Sequence, residues 1–188
     1  FRDALARKQS LIKENFLKTS DGTLFAGLNA ALVDNLINKL YPEDKFSSLK
    51  ESKSSIALIA IGGYGRGELA PHSDIDILFL LSENNNKLIR DRLEKQIETI
   101  LYFLWDLGFT VGHSTRTLKE VIKDCKSDQA FLTSLLENRF LVGSDTLFSK
   151  FKSMFENFLN KSNVLTFVKN KLEEADRRHA RFGSSRYV

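Results

Sequence analysis

Residues 56–81, IALIAIGGYGRGELAPHSDIDILFLL, restrict the possible folds more than any other stretch. Ile56 to Ile61 is an apolar, β-branched run that stops abruptly at Gly62-Gly63. A second run, Asp74 to Leu81, opens with two carboxylates. Short apolar runs bounded by turn residues read as buried strands. Strand side chains alternate, so Asp74 and Asp76 are predicted on one face, with Ile75, Ile77 and Phe79 on the other.

Two carboxylates held a few ångströms apart repel each other and lose hydration, and a fold tolerates this best with a cation between them. Oxygen ligands favour Mg²⁺ or Mn²⁺ over zinc. Asp74 and Asp76 are therefore the candidate metal ligands and catalytic residues. The glycines supply the complementary half. Gly62, Gly63, Gly65 and Gly67 permit positive φ and close approach of a ligand to the backbone. Successive N–H groups in such a turn form an anion-binding concavity. Arg66 adds a bidentate phosphate contact, and Ser73 is a further candidate donor. A phosphate cradle beside a two-carboxylate metal site suits phosphoryl or nucleotidyl transfer, where catalysis is positioning and charge neutralisation. Two other glycine motifs are excluded. The stretch has no G-x-x-x-x-G-K-[ST], and Glu68 stands where G-x-G-x-x-G needs its last glycine.

With 188 residues, 42% hydrophobic and 28% charged, the chain is long and apolar enough to bury a proper core. A net charge of +4 is too mild to argue for a nucleic-acid partner. The single cysteine, Cys125, forms no internal disulfide and fits a reducing, cytoplasmic setting. No apolar run reaches the roughly 18 residues of a membrane span, and no signal peptide is read. The start at Phe1 and the stop at Val188 suggest a piece of a longer polypeptide.

Amphipathic helices are expected at 2–18 and 23–41, followed by a polar connection at 43–54. A long helix follows at 87–107, with Asn86 as its cap and Gly108 as its stop. Phe109 to Arg116 reads as a third strand. One of its faces carries Phe109, Val111, His113 and Thr115; the other carries Thr110, Gly112, Ser114 and Arg116. The remainder reads as helical, at 118–124, 128–141, 146–160 and 164–182, with Ser144 or Asp145 as a cap. The last helix carries a basic run that includes Lys169, Lys171, Arg177 and His179. The predicted class is α/β or α+β, a small mixed sheet flanked by helices with a helical C-terminal extension. The expected divisions are bracing helices at 1–54, a catalytic core at 55–126 and the extension at 127–188.

Gly62-Gly63 after a strand, with Asp74-Ile75-Asp76 opening the next, resembles the DNA polymerase beta-type nucleotidyltransferase superfamily. Within it, GGYGRGELAPHSDIDILFL resembles the bifunctional uridylyltransferase/uridylyl-removing enzymes that modify the PII nitrogen-signalling protein. FLWDLGFTVGHSTRT at 103–117 and RRHARFGSSRY at 177–187 extend the resemblance from about residue 57 to the C-terminus. It implies transfer of UMP from UTP to a tyrosine of a PII-type protein, with release of pyrophosphate. Gly62 and Gly63 would face the β- and γ-phosphates. The superfamily often brings a third carboxylate on the third strand, but neither face of 109–116 has an acid. His113 lies where one would be expected, and His113 and Arg116 are secondary site candidates because their strand should adjoin the aspartates. The His/Asp metal domain that removes UMP in that family has no signature in these residues, so removal is not expected of this segment. Three alternatives remain open: an adenylyltransferase, an RNA nucleotidyltransferase with the same site, and a non-catalytic nucleotide-binding regulatory domain.

Overall fold

In a computed structural model of the chain, residues 2–41, 55–83, 86–161 and 164–182 are described. At its centre is a four-stranded mixed sheet in the order β3-β2-β1-β4. Strands β1 (Ile56–Ile61) and β2 (Ile75–Leu81) pair antiparallel, with Leu58 opposite Phe79. β3 (Val111–Thr117) runs parallel to β2, with Asp76 opposite Gly112. β4 (Asn138–Gly143) runs antiparallel along the other side of β1. The helices are α1 (Arg2–Thr19), α2 (Gly22–Leu40), the short turn α3 (Gly62–Gly65), α4 (Lys87–Asp106), α5 (Leu118–Ser127), α6 (Gln129–Leu136), α7 (Asp145–Lys161) and α8 (Val164–Phe182). The polar connection expected at 43–54 lies outside the described residues.

Every β1 side chain is buried, because helices cover both faces of the sheet. Ile56, Leu58 and Ala60, with Ile75, Ile77 and Phe79 of β2, pack under α2 (Val33, Ile37) and α4 (Leu93, Leu104). Ala57, Ile59 and Ile61, with Leu78 and Leu80, pack under α5 (Val121), α6 (Leu135) and α7 (Phe151, Phe155). Along α7, Phe151 and Phe155 stack with ring centroids 5.5 Å apart, and Phe148 leans on Phe140 of β4 at 5.3 Å. The N-terminal helix α1 touches this core through α2, where Leu5 meets Leu32 and Leu36.

Local signals set several helix ends. Asn86 Oδ1 accepts the Ile89 amide at 2.9 Å, and Gly108 stops the same helix with φ +87°. Ser144 rather than Asp145 caps α7, its Oγ accepting the Leu147 amide at 3.2 Å. Thr117 and Glu120 form a reciprocal capping box at the start of α5.

One element differs in kind from its sequence reading. Residues 128–141 do not form a single helix: α6 ends at Leu136, and 138–143 become β4. Phe140-Leu141-Val142 is too short an apolar run to show a period of its own. The free edge of β1 decides its state by supplying ladder partners to the backbone. The sheet thus draws on residues beyond 126.

Phe79 of β2 is fully buried in the layer shared with α2 and α4, so Phe79→Ala is expected to cost about 3–5 kcal/mol. Asn86→Ala, which removes only a cap, should cost about 1 kcal/mol. Urea unfolding of the two variants checks the contrast, and equal losses would contradict this packing.

Candidate active site

β1 ends at Ile61 and the chain turns at once into α3. Gly62 adopts φ +61°, which lets an extended strand pass directly into a helical turn. The expected glycine turn is therefore a tight helical one. It is closed by Arg66 N to Gly62 O at 3.1 Å, Gly67 N to Tyr64 O at 3.0 Å and Glu68 N to Gly63 O at 3.1 Å. The bend that follows is held by Ser73 N donating to Ala70 O at 3.1 Å, with His72 left-handed at φ +62°. It delivers Asp74, exposed, to the mouth of β2. Ile75 N then donates to Thr110 O at 2.9 Å and ties this end of β2 to the start of β3.

Asp76 sits half-buried between two glycines. A Cβ on Gly62 would stand 3.5 Å from Asp76 Oδ2, and a Cβ on Gly112 of β3 would collide with Oδ1. The carboxylate thus occupies space that two missing side chains leave open, on the face of the sheet that carries Leu78 and Leu80. Burial, and then the charge of Asp74, hold the Asp76 carboxyl above the usual aspartate range. A strained pair of hard oxygen donors beside open backbone fits a divalent cation such as Mg²⁺ or Mn²⁺. Among the described residues, no third His, Cys, Asp or Glu joins them.

The other sequence candidates divide. Arg66 lies along the turn, Nη2 being 3.8 Å from where a Gly63 Cβ would be, and its Nε contacts Glu68 Oε2 at a long 3.4 Å. Ser73 is exposed beside Asp74. His113 is not brought to the aspartates. It stands opposite Ile77 on the far face of the sheet, its ring edge-on to Phe79 at 6.5 Å and to Trp105 at 6.1 Å. The period-two alternation that puts Gly112 beside Asp76 necessarily turns His113 away. Arg116 shares the face of Asp76 but lies four residues further along β3 than Gly112, a span of about 13 Å. Its Nε donates to Asp124 Oδ2 at 2.8 Å and its guanidinium rests 6.0 Å from the Phe131 ring centroid, so it ties β3 to α5 and α6. On α8, Lys169, Arg177 and His179 are exposed. Cys125 is buried, and its thiol is pushed up to about 12 by burial and by Asp124 and Asp128, which leaves it inert at neutral pH.

Two features escaped the sequence reading. A glycine inside a strand pattern marks close approach of another group, and Gly112 carried that signal. The second is a polar cluster. Tyr64 of α3 is buried and its hydroxyl donates to Asp34 Oδ1 of α2 at 2.6 Å. Arg139 of β4 donates to Asp34 Oδ2 at 2.7 Å, to Asp34 Oδ1 at 3.2 Å and to the Tyr64 carbonyl at 3.1 Å. Burial, and then the hydrogen bond to Asp34, push the Tyr64 hydroxyl far above its ordinary range, so it stays protonated. These partners are 30 to 105 residues apart, beyond any local pattern.

A family profile described as "Nucleotidyltransferase domain" matches residues 43–133. The chain is 43% identical over 175 residues to a protein of Novosphingobium aromaticivorans named bifunctional uridylyltransferase/uridylyl-removing enzyme. It is 38% identical over 191 aligned positions to proteins of the same name from Phenylobacterium zucineum and Caulobacter vibrioides. The matches cover 91% to 100% of this chain but 19% to 20% of each relative, so the chain spans about a fifth of their length.

Gly112→Ala should push the Asp76 carboxylate aside and lower nucleotidyl transfer by about 10²-fold, as small displacements of reacting groups do. Transfer rates measured on folded protein check it; an unchanged rate would mean that Asp76 tolerates displacement. The Asp76 proton is held more tightly in the folded chain than in the unfolded one, so stability falls as pH rises through and above the ordinary aspartate range near 3.9. Without metal at pH 7, Asp76→Asn is therefore expected to raise Tm, and the gain should fade on acidification. Mg²⁺ should raise Tm for the wild type and not for the variant. Thermal scans at several pH values, with and without Mg²⁺, test both.

Proposed function

The chain belongs to the nucleotidyltransferase domain family, within the group of proteins named bifunctional uridylyltransferase/uridylyl-removing enzyme, and we propose that it transfers UMP from UTP to a tyrosine of a PII-type signal protein. The observation that carries the chemistry is the contact of the glycine turn with the paired carboxylates: Asp76 Oδ2 lies 3.5 Å from where a Gly62 side chain would begin. Phosphates seated on Gly62 and Gly63 would meet Asp74 and Asp76 without an intervening side chain. A Mg²⁺ or Mn²⁺ ion held by the two aspartates would neutralise triphosphate charge and favour departure of pyrophosphate. Arg66, half-exposed, would close on the phosphates from the solvent side. Ser73, next to Asp74 in the bend, would donate a further hydrogen bond. The acceptor hydroxyl would form its bond to the α-phosphorus as the bond to pyrophosphate breaks, and its proton would pass to water at the open, Asp74 side of the site.

The uridylyl group follows the names of the relatives, and the tyrosine acceptor on a PII-type protein follows the resemblance of residues 57 onward to that family. Among the described residues no helix is long and apolar enough to cross a membrane. The buried free thiol of Cys125 suits a cytoplasmic setting. The lack of a third metal-ligating residue among the described ones favours one rival, a domain that binds nucleotide without turning it over.

Pyrophosphate release from UTP, ATP, CTP and GTP, measured with Mg²⁺ and a PII-type acceptor, separates these readings. UTP-specific release that falls at least about 10²–10³-fold in Asp74→Asn and in Asp76→Asn is the expected result. A preference for ATP would reassign the donor, and binding without release would support the rival.

A further inference from the structure

The glycine segment makes its long-range contacts with the N-terminal helix α2 at two points. At its start, Tyr64 is gripped by Asp34 through the hydroxyl and by Arg139 through the carbonyl. The Arg139 guanidinium also lies 5.3 Å from the Tyr64 ring centroid, so both ends and the face of the residue are engaged. At its far end, Leu69 N donates to Ala26 O at 3.1 Å and Asn29 Nδ2 donates to Leu69 O at 3.3 Å. Residues 64 and 69 are thus fixed to one rigid helix, and the glycines beside them, which have no side chains with which to anchor themselves, inherit that placement.

Asp34 and Arg139 are both partly buried, with side chains 27% and 32% exposed, and their contact is bidentate. Simple packing does not require this arrangement: Tyr64 already fills its core position with its ring. The extra polar contacts fix the rotation of the turn about the end of β1, which is the one freedom that ring burial leaves. Gly65 closes the same joint, since a Cβ there would overlap the Glu137 carbonyl just before β4.

We propose that Asp34 and Arg139 are positioning residues that hold the Tyr64 turn, and through it Gly62 and Gly63, in register for the triphosphate. The inference rests on the nucleotidyltransferase reading of that turn. Neither residue touches the reacting atoms in this assignment. They act through Tyr64, so their effect should fall on nucleotide binding and on the local order of the turn rather than on the fold as a whole.

The test uses Tyr64→Phe, Asp34→Asn, Arg139→Lys and Arg139→Met, with Val121→Ala of α5, in the layer on the opposite face of the sheet, as a stability control. Calorimetry with UTP and Mg²⁺ should show binding weakened about tenfold in Tyr64→Phe, Asp34→Asn and Arg139→Met, an effect the size of one hydrogen bond. Arg139→Lys should recover part of the loss, and the control should bind as the wild type does. Amide hydrogen exchange without nucleotide should quicken over residues 62–69 and not across the sheet. Unchanged UTP affinity, equal weakening in the control, or exchange that quickens everywhere would each overturn the assignment. A wild type that binds no UTP would instead overturn the reading of the site on which it rests.

Discussion

β1 has no solvent-facing side. Its six side chains alternate between two hydrophobic layers, and both of its edges are paired. A strand buried in this way cannot spare a polar group along its length, so its chemistry has to lie at its end. Gly62 follows Ile61 directly, and the first backbone able to meet a ligand stands where the apolar layers stop. β2 runs the opposite way beside β1, which brings its opening residues, the aspartates, to that same end of the sheet. The antiparallel pairing of two apolar runs is what joins the two halves of the site.

The electrostatics follow from this placement. Asp76 is the first residue of β2 to point toward the layer of Leu78 and Leu80, and it is only half-immersed there. Deeper in the strand a carboxylate would be neutral or ruinous; further out it would not be raised by its neighbour. Gly112 completes the position by leaving a gap in the parallel neighbour strand. The resulting pocket of charge has two hard donors and open backbone on two sides. On the other layer, Asp34, Tyr64 and Arg139 bind the glycine turn to α2 and β4, so three elements distant in sequence meet at that turn.

Much of this was legible in the residues. The two strands, the caps at Asn86 and Ser144 and the stop at Gly108 each follow from local rules, and the structure contains them. The grouping of Gly62 with Asp76 was legible too, because a run, a turn and a second run in immediate succession have few ways to fold other than as neighbours. Three features were not. Local pattern makes 138–141 the end of a helix, offers His113 as a secondary candidate beside the aspartates, and gives no sign of the Asp34–Tyr64–Arg139 cluster. Each depends on a partner 30 or more positions away, or on strand phase relative to another strand, and neither is written in a local pattern.

The sequence by itself determined the chemistry that this chain can hold: hard oxygen donors, bare backbone and a buried pair of strands to carry them. It did so because apolar continuity, glycine and carboxylate charge act locally and leave few alternatives. Only the tertiary structure decided which neighbours complete the site. Parallel pairing set Gly112, and not His113, beside Asp76, since a shift of one residue turns every side chain of a strand to the other face. The unsatisfied edge of β1 makes a strand of 138–143, where local pattern continues a helix to 141, and the burial of Tyr64 brings a helix from the N-terminal part of the chain to hold the turn. These outcomes come from long-range hydrogen bonding and packing, whose partners exist only once the chain has folded.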